Sequence, residues 1–167
     1  IETLKQNKIS KISGDLIIDD MCFDFQKIPG GWPWNDMGNY YGAGVWGINW
    51  RENVFEIYTF GKEIKSFSNI NDVKWVNELR TEGNSDKSII YNAPYSDVAH
   101  INGSLPAKEM KVSGAMPNPP KQLAIELAEE LNKFGAENWE IIHYQEVNPK
   151  EWGNEFEAKI LLKRQKN

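Results

Sequence analysis

The stretch Pro29–Gly44, reading PGGWPWNDMGNYYGAG, constrains this chain more than any other. It carries two prolines, five glycines, two tryptophans and two tyrosines. Glycine gives up the most backbone freedom in a regular element and proline lacks an N–H, so this density predicts a long shaped loop and no helix. Aromatic faces held on such a loop can stack on a nucleobase or a sugar ring, or anchor a protein partner. Trp32, Trp34, Tyr40 and Tyr41 are the candidate rings. Asn35 and Asp36 sit among them as candidate orienting groups in a pocket, with Asn39 close by. The competing reading folds the loop back so that its rings complete the core.

The flanking sequence reads as short strands. Asp15–Ile18 and Met21–Phe25 are β-prone runs on either side of Asp19-Asp20, which predicts a tight hairpin. Val45–Trp50, Val54–Phe60 and Glu63–Phe67 follow as a meander, and turns this short require antiparallel neighbours. Val73, Val76 and Leu79 recur at helical spacing, so a short helix is expected over 72–80 with Asn71 as its cap. A strand is expected over 87–91, and the punctuated segment 92–117 reads as loops with one or two short strands. Asn118-Pro119-Pro120 then opens a long amphipathic helix over about 119–134. Its apolar stripe is Leu123, Leu127, Leu131 and Phe134, and Gly135 closes it. Strands over 139–147 and 155–164 end the chain, with the helix expected to cover them.

Composition limits the function classes. The chain has 167 residues and a formal net charge of −5 with no basic stripe, so nucleic acid is not expected as a partner. The one cysteine, Cys22, excludes an intrachain disulfide and fits a reducing compartment. No apolar run approaches a membrane span. A cytoplasmic protein is the expectation, with secretion after leader cleavage as the alternative because the sequence opens on Ile1. One domain over 1–167 is expected, with a β-rich part over 1–117 and a helix–strand–strand unit over 118–167.

The C-terminal quarter resembles a group of small bacterial domains of unknown function. The residues that carry the likeness are Leu127 to Phe134, then Gly135-Ala136-Glu137-Asn138-Trp139-Glu140-Ile141-Ile142, then Leu161-Leu162-Lys163-Arg164. They match a helix, a GWELV-like strand and a closing strand ending in Lys-Arg, with Asn138 where the pattern has Gly. The resemblance implies the helix–strand–strand unit and implies no activity.

Reactive constellations are sparse. Gly42-Ala43-Gly44-Val45-Trp46-Gly47 matches G-x-G-x-x-G by letter, but a bulky β-prone run follows it where a dinucleotide site needs a helix N-terminus. No cofactor is expected. Asp97 and His100 are the candidate acid–base pair, though neither His100 nor His143 has a local ligand set for a metal. Asp15, Asp19, Asp20 and Asp24 lack calcium-loop spacing.

These readings together predict an α+β fold with a mostly antiparallel sheet of six to eight strands. The expected function is a non-catalytic binding or interaction domain that uses residues 29–50 as its recognition surface. Its partner would be a protein or a small ring-containing ligand, and exposed rings would favour a homo-oligomer. Two alternatives stand beside it: a small hydrolase or lyase using Asp97 and His100, and a structural subunit of a larger phage or bacterial assembly.

Overall fold

The computed structural model describes residues 2–7, 17–20, 22–23, 25–135, 139–147 and 157–164. The chain forms two compact units, Cys22–Pro119 and Ile1–Met21 with Pro120–Asn167.

The first unit is built on six strands, β1 (Val54–Phe60), β2 (Glu63–Ser68), β3 (Lys74–Thr81), β4 (Ile89–Tyr91), β5 (Val98–Leu105) and β6 (Glu109–Ala115). They make two three-stranded sheets, ordered β2-β1-β6 and β3-β5-β4. Alternation along β1 buries Phe55, Ile57 and Thr59 and turns Glu56, Tyr58 and Phe60 outward. Phe55 and Ile57 join Val112 from the same sheet and Leu79, Ile90, Ile101 and Leu105 from the other in one core. Trp75 of β3 seals it, edge-on to Phe55 at 5.4 Å and stacked on Phe67 at 5.0 Å.

The expected architecture is corrected in three places. One antiparallel sheet is replaced by separate sheets, and β3 and β5 run parallel from Lys74↔Val98 to Thr81↔Leu105. The helix expected over 72–80 is strand β3. Helical spacing of Val73, Val76 and Leu79 coexists there with a period of two, which sets Trp75 and Leu79 against Lys74, Glu78 and Arg80. Eight residues of parallel ladder and the packing of Trp75 decide for the strand. Asp72, expected inside the helix, instead turns the chain with φ of 56°. Val45–Trp50, expected as a strand, forms none; a left-handed turn over Arg51–Asn53 leads from it into β1.

In the second unit lie α1 (Glu2–Gln6) and, from Pro120 on, α3 (Pro119–Gly135), whereas α2 (Trp34–Met37) is a single turn of the first unit. The amphipathic stripe expected on α3 is also corrected. Leu123, Leu127 and Leu131 are only half-buried, while Gln122, Ala124, Ile125 and Ala128 are buried. β7 (Trp139–Val147) and β8 (Glu157–Arg164) pair antiparallel as a third sheet, with a register shift between Ile141 and His143. Of the hairpin expected over 15–25, residues 17–20 form no strand, and Asp15, Leu16, Met21 and Asp24 lie outside the described residues. No described helix is long and apolar enough to cross a membrane.

Candidate functional site

The aromatic segment is less irregular than its composition predicts. Pro33 enters extended and α2 (Trp34–Met37) follows as one turn, then a 3-10 turn over Tyr40–Gly42. Proline costs nothing ahead of a helical turn, which is how a helix forms inside this stretch. Gly42 allows the two turns to touch, since a Cβ there would lie 2.0 Å from the Asp36 carbonyl oxygen.

Asn39 fastens the segment to the sandwich. It forms a bridge with Gly114, its Oδ1 accepts from the Ile90 N–H at 3.3 Å, and its Nδ2 donates to the Asn35 carbonyl at 2.5 Å. Beside it the Ala115 N–H donates to the Gly38 carbonyl at 2.9 Å. Asn53 holds the far end. Its side chain accepts from the Trp50 N–H and donates to Asn49 Oδ1, and its carbonyl accepts from the Met116 N–H.

So anchored, the segment presents Trp32, Trp34, Tyr40 and Tyr41 at 41–58% exposure, with Asn35 exposed and Asp36 half-buried. The rings do not complete the core. Trp34 stacks on Tyr91 at 6.2 Å, and Tyr40 meets Tyr41 edge-on at 5.3 Å. The Tyr41 hydroxyl donates to Asp36 Oδ1 at 3.4 Å, and desolvation followed by the Asp36 charge raises its pKa above the ordinary phenol value. Trp46, by contrast, is 2% exposed, with Tyr95 at its edge and Lys27 Nζ 5.0 Å from the ring centroid.

Asp97 and His100 are not brought together. His100 stands exposed on β5, on the face opposite Ala99 and Ile101, level with Val76 and Tyr91 on the neighbouring strands. Asp97 is exposed at the start of that strand, where its backbone carbonyl accepts from the Lys74 N–H. No hydrogen bond links the two side chains. Gly44 and Gly47 lead into no helix, so the letter match to a dinucleotide loop has no geometry behind it. Among the described residues no three His, Cys, Asp or Glu side chains gather as a metal set.

One charged cluster was missed by sequence reasoning. Glu56 on β1 accepts from Lys111 Nζ of β6 at 2.6 Å and from the Tyr58 hydroxyl. Alternation puts Glu56 and Tyr58 on one face, but only the register Tyr58↔Lys111 brings in the lysine. The Lys111 ammonium, then Tyr58, holds the Glu56 carboxyl below its ordinary pKa, and Glu56 raises Lys111 and Tyr58 in return. A depressed carboxylate stabilises the fold above its unfolded pKa and loses that contribution as pH falls through the folded one. In Lys111→Ala the Glu56 carboxyl is expected to titrate at higher pH, followed by NMR of its side-chain carbonyl; an unmoved titration would break the assignment.

Residues 1–152 match the D-Ala-D-Ala carboxypeptidase 3 (S13) family. The chain belongs to that family. No curated protein matches the chain. Membership in the carboxypeptidase family overturns the expectation of a non-catalytic binding domain and, with it, the leaning away from an enzyme. The structural-subunit alternative falls for the same reason. Serine acyl-transfer enzymes that act on such peptides or their β-lactam mimics carry Ser-x-x-Lys with Ser-Asp-Asn and Lys-Thr-Gly. None of these three strings occurs in the 167 residues.

Proposed function

We propose that this protein is a D-Ala-D-Ala carboxypeptidase, a hydrolase that releases the terminal D-alanine of a peptide. The observation that carries the reading is the family match over residues 1–152. In such a reaction a nucleophile attacks the carbonyl of the penultimate D-alanine, hydrogen-bond donors hold the oxyanion, D-alanine leaves, and water frees the acylated residue. On this reading the two three-stranded sheets hold the exposed Trp32–Tyr41 rings at one edge, where Asn39 bridges Gly114. The acylated serine is not assigned to any described residue, because no Ser-x-x-Lys is present. Peptides ending in D-Ala-D-Ala belong to the bacterial cell envelope, and on this reading the protein works there.

The test is D-alanine release from a short peptide ending in Lys-D-Ala-D-Ala, using the protein as its gene encodes it, with the L-Ala-L-Ala peptide as control. Release from the D peptide and not the L peptide is the expected result. No release from the D peptide, by a folded protein, overturns the proposal.

A further inference from the structure

Beneath Trp46 lies a hollow with space for about one water molecule, lined among others by Met37, Gly42, Trp46, Asn92, Pro94 and Met116. Two of its lining residues each carry a buried polar atom with no hydrogen-bond partner, Trp46 Nε1 and Asn92 Oδ1. Both side chains are 2% exposed. Neither can turn away to find a partner. The Asn92 amide is fixed because its Nδ2 donates to the Ala115 carbonyl at 2.9 Å. The Trp46 indole is fixed by the edge contact with Tyr95 at 5.0 Å and by Lys27 over its face.

One orphan is a donor only and the other an acceptor only, so they do not compete for the same kind of partner. A water satisfies both at once, accepting from the indole N–H and donating to the amide oxygen. An ion fits poorly here, since no lining residue has a charged side chain. We propose that this hollow binds one long-lived water bridging Trp46 Nε1 and Asn92 Oδ1. The water then pins the buried end of the aromatic segment to the segment between β4 and β5, as Asn39 pins the other end. This holds whether or not the protein is a carboxypeptidase.

Trp50 supplies an internal control. Its Nε1 is also buried and unpartnered, but it does not line the hollow. The experiment is a pair of 15N-edited NOE and ROE spectra on the folded chain, read at the indole N–H signals. A bound water gives NOE and ROE peaks of opposite sign at the water frequency, whereas proton exchange gives peaks of the same sign. Opposite-sign peaks at Trp46 and none at Trp50 are expected. A silent Trp46, or same-sign peaks there, overturns the proposal. Opposite-sign peaks at both indoles overturn it too, because water would then reach buried nitrogens without this hollow.

Discussion

Phe55→Ala is expected to lower the unfolding free energy by about 3–5 kcal/mol, the largest loss from any single truncation in the sandwich. Phe55 is fully buried in the middle of the core cluster and meets Trp75 of the facing sheet at 5.4 Å. Across the ladder it lies opposite Gly114, where even one added carbon would fall 2.3 Å from the Phe55 ring. The ring therefore fills the space that the glycine leaves, and no neighbouring side chain at that position can collapse into the void. Urea unfolding checks the prediction: the midpoint should fall with the slope unchanged. A loss below about 1 kcal/mol would mean that the two sheets do not close on this ring.

Gly38→Ala is expected to be nearly as damaging for a different reason. A Cβ at Gly38 would lie 2.2 Å from the Ile90 carbonyl oxygen and 2.7 Å from the Asn92 nitrogen. These are backbone atoms of β4 and the residues after it, so they cannot swing aside as a flexible side chain would. Overpacking of this kind costs about 1–3 kcal/mol and sometimes more. The damage should be local, since the Ala115 N–H that donates to the Gly38 carbonyl loses its acceptor when the segment lifts. Hydrogen exchange at Ala115 should accelerate more than exchange at Ile57 in the core. Wild-type exchange at Ala115 would show that the segment is not seated against β4 in this way.

How legible the fold was depended on whether local pattern and distant pairing agreed. β1 was readable because Phe55, Ile57 and Thr59 alternate with Glu56, Tyr58 and Phe60, and short turns bracket it. β3 was not, since its apolar residues satisfy a helical and an extended period together. The deciding partner, β5, enters more than twenty positions later in the chain. Trp46, Ile48 and Trp50 alternate as a strand should, yet no ladder forms there. Trp46 is held by Tyr95 and Lys27 instead, contacts that no local pattern encodes.

The aromatic segment could be located from its composition, but the side its rings face could not. Exposure of Trp32 and Trp34 follows from the anchors at Gly38 and Asn39, which depend on strands far along the chain. Tyr58, Glu56 and Lys111 needed a register before they could be seen as one cluster. Family membership was hidden for another reason. The likeness to the family extends over residues 1–152 and is not concentrated in a short reactive string.

Acyl-enzyme mapping tests the central claim most directly. The protein as its gene encodes it is mixed with a D-Ala-D-Ala peptide, quenched within the first turnovers, digested and examined by mass spectrometry for the acyl mass. A single acylated residue, formed with the D-Ala-D-Ala peptide and not with its L-Ala-L-Ala counterpart, is the predicted result. Failure to acylate or release D-alanine would contradict the carboxypeptidase reading itself.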